Sequence, residues 1–218
     1  MKKLIHKIAI RKSRKYLSEK YGADWFSDFY KLSCSNLEEI LPEMPDIGNS
    51  IFAMNYNFAA AYIAWYKSFE QLGVKADEID KDIWAINEKL MYTFPKSILK
   101  ISGKIYLSSF RKKAAKHIKK QQQNKLHPYD WKIAFRNIDH NSFEIDITEC
   151  AFKKLSKDFG VEKMLPGICR MDYLMANIMG NGFARTKTLG DGDECCNCRY
   201  AVSGSCEWSP EKGFEYRK

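Results

Sequence analysis

Histidine is scarce in this chain, with four in 218 residues. His6, His117, His127 and His140 fall near the N-terminus, in a lysine-rich stretch and in turn material, so a cysteine–histidine dyad has no local support. No phosphate-binding glycine loop, dinucleotide fingerprint or serine nucleophile elbow is present, which excludes the common nucleotide-dependent enzymes and hydrolases of the serine-elbow type. A long apolar run is missing too. The longest uncharged stretch, 47–66, contains Gly48, Asn49, Ser50, Asn55 and Asn57, which are costly in hydrocarbon, so it reads as a buried helix of a soluble protein. Lys2, Lys3 and Lys7 are followed only by Ile8–Ile10 before Arg11 and Lys12, too short for a secretory leader. With that, an odd count of seven cysteines points to reduced thiols and a cytoplasmic setting.

What is present is a large apolar fraction, 45%, with 14% aromatic residues, enough for a real core in one domain or two small ones. The net charge of +9 is uneven. Residues 1–20 carry eight Lys or Arg against one Glu, and residues 96–125 carry ten with no acid, so the rest of the chain is net acidic. The run Arg111-Lys112-Lys113 to Lys119-Lys120 is lysine-dominated and has no nucleic-acid motif around it. It reads as a solvated helix face with weak attraction for anionic surfaces and no specific nucleic-acid partner.

Helical spacing dominates the first 125 residues. Phe58, Tyr62, Trp65 and Phe69 form one stripe that ends at Gly73, and Asp80–Tyr92 is amphipathic through Ile83, Trp84, Ile86, Leu90 and Met91. After Pro95 a lysine-rich helix runs towards Gln121–Gln123. The texture then changes. Trp131–Ile138 alternates like a strand, Asp139-His140-Asn141 makes a turn, and Phe143, Ile145 and Ile147 supply a hairpin partner. Helices are expected from Ala151 to Phe159 and Ile168 to Met179, and strands at Phe183–Leu189 and Cys195–Val202. The expected fold is α+β: a helical region, 1–126, packed on an α+β region, 127–218, with an antiparallel sheet and two short helices. Core packing is the main role expected of Tyr56, Tyr62 and Trp65, and a cap over the site is the rival.

Six of the cysteines follow residue 149. Cys150 ends a strand where a helix begins, so unpaired N–H groups and the helix dipole are expected to lower its pKa and favour the thiolate. Cys169 and Asp172, three apart, share a helix face. Cys195, Cys196 and Cys198 crowd a strand, and a four-cysteine zinc ribbon lacks its second pair. Cys150, Cys169 and Cys196, with Asp172 or water as fourth ligand, remain as a candidate zinc set.

Five motifs occur in one order: Asp130-Trp131, Asp146-Ile147-Thr148-Glu149-Cys150, Leu165 to Tyr173, Gly182 to Leu189, and Cys196-Asn197-Cys198-Arg199-Tyr200. Together they resemble the L-2-amino-thiazoline-4-carboxylic acid hydrolase family over residues 128–202. The resemblance implies a hydrolase that opens a small amidine-like ring, with no cofactor. The family's closing motif usually reads Cys-Asp-Phe-Arg, so Asn197 and Cys198 depart from it.

These readings combine into a working expectation: hydrolysis of a C–N or C=N bond in a small molecule. Cys150 would be the nucleophile and Asp172 the general base, with Cys169 and Cys196 lining the pocket. Arg185 and Arg199 would hold a substrate carboxylate, and Glu149, Thr186 and Thr188 would orient the substrate. Two rivals are a zinc-dependent hydrolase and a sensor that binds a small molecule without turnover.

Overall fold

A computed structural model describes residues 2–212 of the chain. Five helices come first: α1 (Lys2–Tyr21), α2 (Ala23–Glu43), α3 (Ala53–Gln71), α4 (Ala76–Met91) and α5 (Lys96–Gln122). The hairpin β1 (Lys132–Asn137) and β2 (Ser142–Glu149) follows, then α6 (Ala151–Asp158), α7 (Leu165–Met179), β3 (Gly182–Ala184) and β4 (Cys196–Ala201). The sheet order is β1-β2-β4-β3 with every neighbouring pair antiparallel, so the fold is α+β as expected.

The uncharged stretch becomes α3, the central helix. Every residue from Ala59 to Tyr66 is buried, because small alanines let neighbouring helices close in around Tyr62, Ile63 and Trp65. Among the described residues no helix is long and apolar enough to cross a membrane. Trp65 donates its indole N–H to His6 Nδ1 at 2.9 Å, and burial, aided by Lys7, pushes the His6 pKa down to about 4. The helix ends as its sequence suggests. Gly73 takes φ 77°, and the amides of Gly73 and Val74 turn back onto the carbonyls of Glu70 and Phe69. Helix α4 starts at Ala76, four residues before the expected Asp80, since Asp77 and Glu78 favour the first turn through the helix dipole.

In the hairpin, Ile133 pairs with Ile147 and Phe135 with Ile145, as the alternation implies. Phe143, Ile145 and Ile147 of β2 are buried and share one core with the helices. The expected strand Phe183–Leu189 is a correction: only Gly182–Ala184 pairs with β4. Beyond it, Asn197 Oδ1 accepts the amides of Thr186 (3.0 Å) and Lys187 (2.7 Å), so these donors satisfy a side chain instead of a ladder. The chain then turns through the 3₁₀ segment Leu189–Asp191, capped by Thr188.

Candidate functional site

Between the inner face of the sheet and helices α3, α4, α5 and α7 lies a cavity of about 180 Å³. Period-two alternation puts Cys196, Cys198 and Tyr200 of β4 on its floor, and one face of α7 supplies Cys169, Asp172, Met175 and Met179. Cys150 enters from the junction of β2 and α6, and Arg185 from the segment after β3. Most of the remaining wall is apolar, including Phe58, Leu107, Phe110 and Phe143.

Among the described residues, the one ion pair in the lining is Asp172–Arg185. Arg185 Nη1 lies 3.0 Å from Asp172 Oδ2, and Nη2 donates to the Cys169 carbonyl at 2.7 Å. The guanidinium lies against the edge-to-face pair of Tyr173 and Phe183, with 5.5 and 5.4 Å to their centroids, and its side chain is 1% exposed. Asp172 differs: 33% of its side chain is exposed, and it lines the cavity. The acid is thus open to the cavity. Burial pushes its pKa above the usual carboxylate range, and Arg185 pulls it only part of the way back.

The expected Cys150 thiolate is corrected. Burial pushes that thiol up to about 12, with Cys169 adding to the rise, and the amides of Lys153 and Phe152 at the start of α6 offset only part of it. The helix dipole is present, but desolvation outweighs it. Burial likewise raises Cys169 to about 11 against the pull of Arg185, and lifts Cys198 well above its ordinary value. Cys196 is also raised by burial, yet its sulfur accepts the Leu189 amide at 3.2 Å and lies 3.4 Å from Thr188 Oγ1. All four thiols therefore rest protonated at neutral pH.

The zinc set does not fit. Among the described residues no three His, Cys, Asp or Glu side chains could hold a metal ion together. Cys150, Cys169 and Cys196 surround the cavity from three elements and do not converge on one point.

Four other expected site residues lie outside the lining. Glu149 is pinned between Lys132 and Lys154. Thr186 is exposed and receives the Asn197 side-chain amide at 2.7 Å. Thr188 is buried behind Cys196 as a turn cap. Arg199 is exposed, on the opposite face of β4 from Cys196 and Cys198. Asn197, the departure from the family's Asp, serves the Thr186–Lys187 loop and not the cavity. The Cys198 departure does reach the cavity.

Several lining groups come from the helical region and carried no sequence signal of their own. Tyr106 donates to Asn55 Oδ1 at 2.8 Å and Tyr62 to Asn87 Oδ1 at 3.0 Å, and all four face the cavity. Tyr62 was visible as part of an apolar stripe, with a cap over the site as the rival to core packing. Its neighbours Tyr56 and Trp65 are core residues bonded to the Pro45 carbonyl and to His6. Arg170, inside the Leu165–Tyr173 motif, grips both oxygens of Asp191 at 3.0 and 2.8 Å and so fixes the turn that offers the Leu189 amide to Cys196. Gly190 in that turn has to be glycine, because a Cβ there would sit 2.7 Å from Cys169 Sγ.

No curated protein matches the chain. A family model described as L-2-amino-thiazoline-4-carboxylic acid hydrolase matches residues 54–200. That span starts in α3, well before the 128–202 of the motif resemblance, so the helical wall belongs to the likeness as much as the sheet does. Since the match takes in all five motifs and every polar group of the cavity, from Asn55 to Tyr200, the chain belongs to the L-2-amino-thiazoline-4-carboxylic acid hydrolase family, whose name indicates a hydrolase.

Proposed function

We propose that the protein hydrolyses a C–N or C=N bond of a small cyclic amidine, imine or amide, with Cys150 as nucleophile and Asp172 as general base. The observation that carries this reading is a half-satisfied, pKa-raised carboxylate open to a cavity that four thiols share. Asp172 accepts the Cys150 proton as sulfur attacks the electrophilic carbon. The amides of Phe152 and Lys153 stabilise charge on sulfur as it develops. Asp172 returns the proton to the departing nitrogen, the C–N bond breaks, and water then releases the thiol from the enzyme-bound intermediate. Arg185 has a positioning role: it holds Asp172 and keeps enough of its basicity in ionised form.

Cys196 is the second candidate nucleophile, favoured by the Leu189 amide that already donates to its sulfur at 3.2 Å. Mass spectrometry of protein quenched during turnover separates them. An adduct on Cys150 that disappears in Cys150→Ser and persists in Cys196→Ser supports the first reading. An adduct on Cys196 moves the nucleophile, and saturable binding without product in the wild type replaces the hydrolase with a sensor.

A further inference from the structure

Helix α5 forms part of the cavity wall and also carries an outward surface of its own. It turns Leu99, Gly103, Leu107, Phe110, Ala114 and His117 into the protein, at the three- and four-residue spacing of one buried face. On the opposite face Ile98, Ile101 and Ile105 recur at the same spacing and are 50%, 58% and 64% exposed. Tyr92 and Phe94, in the turn before the helix, are exposed as well. Five of the ten large apolar side chains exposed among the described residues thus fall between residues 92 and 105. A single exposed isoleucine is ordinary, but a row of three on one helix face is an apolar surface that gains from being covered.

The same face changes chemistry along its length. At 3.6 residues per turn, Lys112, Lys116 and Lys119 continue the isoleucine row, and all three are exposed. Lys100 and Lys104, also exposed, flank the isoleucines. Residues 96–125 contain no acid, so α5 cannot neutralise these charges itself. Lys20, Lys132, Lys154 and Lys187 elsewhere have carboxylate partners, whereas no lysine of α5 has one among the described residues. Arg111 differs from its lysine neighbours, since it bonds Asn137 and the carbonyls of Asp139 and His140.

An apolar row that runs on into unpaired lysines matches the interface of an anionic bilayer, where acyl chains take up isoleucine and lipid phosphates receive lysine. A second copy of this face would bring the same lysines and no acid, so like charge opposes a symmetric contact between two α5 helices. Nucleic acid would suit the lysines and leave the isoleucines in water. We infer that the outer face of α5 docks the protein on an anionic lipid surface. The isoleucines enter the interface, and Lys112, Lys116 and Lys119 lie on the headgroups. Helix α5 then serves two surfaces: Tyr106, Leu107 and Phe110 face the cavity, and the isoleucine–lysine row faces the lipid.

The test is flotation of the full chain with vesicles of phosphatidylcholine, alone or with about 30% phosphatidylglycerol. The wild type should bind the anionic vesicles at least about tenfold more tightly than the neutral ones, and less tightly as salt rises. Ile101→Ser/Ile105→Ser and Lys112→Gln/Lys116→Gln/Lys119→Gln should each weaken that binding by about tenfold or more. All five side chains are exposed, so thermal melts of both variants should match the wild type. Failure of the wild type to bind anionic vesicles overturns the inference, and so does wild-type binding by either variant. In sedimentation equilibrium, a dimer that Ile101→Ser/Ile105→Ser dissociates, in a protein that ignores vesicles, gives the face to a second copy and overturns the docking. Duplex RNA bound more tightly than the vesicles, and equally by the isoleucine variant, overturns it too. None of the substituted side chains lines the cavity, so each of these outcomes leaves the hydrolase reading standing.

Discussion

Two aspartates, Asp82 and Asp172, show how differently one residue type is used in the two regions. Asp82, in the helical region, is saturated: Tyr16 and Lys20 bond Oδ1 at 2.6 and 2.7 Å, Tyr21 bonds Oδ2 at 2.5 Å, and its side chain is 0% exposed. Asp172 has Arg185 on one oxygen and a cavity beside the other. A carboxylate with both oxygens bonded and no exposed surface ties α1 to α4 and is closed to a ligand. A half-satisfied one is poised to exchange a proton. Exposure to the cavity and remaining hydrogen-bonding capacity together separate the two roles here.

Substitutions can break this contrast or sharpen it. Asp172→Asn should cost the largest amount, about 10³-fold in kcat, worth about 4 kcal/mol of barrier. Its folding stability should change by less than about 1 kcal/mol, because burial already disfavours the charge that the amide removes. Asp82→Ala should do the opposite, losing about 3 kcal/mol in denaturant titration while turnover per folded molecule stays normal. A comparable loss of stability in both variants would erase the distinction.

Asp80 gives a third, intermediate case. Its Oδ1 is buried without a partner against Gly167, and burial raises its pKa to about 7 although Arg170 opposes this. The folded protein therefore holds this proton more tightly than the unfolded chain. The corresponding stability is full below about pH 4 and is lost progressively as pH rises towards 7. Asp80→Asn should remove that decline and gain about 1–2 kcal/mol at pH 8 and little at pH 4. A variant whose stability still falls with pH in parallel with wild type would refute the assignment. The smallest effect belongs to Arg199→Ala, exposed on the outer sheet face: under about 0.5 kcal/mol in stability and no change in kcat/KM. A large rise in KM would return this arginine to substrate binding.

The parts legible in the sequence were those with a strong local period or stop. The 143–147 alternation gave the central strand, and Gly73 ended α3 where the aromatic stripe stopped. Arg185–Thr188 misled because β-like composition says nothing of Asn197 reaching across to take two amides. Cys150 was correctly placed at a helix start, but its protonation depends on tertiary burial, and Cys169 and Cys196, which add to the rise, come from α7 and β4. The motif arginines were legible as important residues and not in their roles. Arg170 clamps a turn and Arg185 holds Asp172, facts that only the tertiary partners Asp191 and Asp172 decide.

The central claim is that the open side of Asp172 drives hydrolysis, and isotope incorporation tests it most directly. In ¹⁸O-water, wild-type protein given a small thiazoline should release ring-opened product carrying one ¹⁸O, and Asp172→Asn of equal stability should release almost none. Labelled product at equal rates from both proteins would contradict the account.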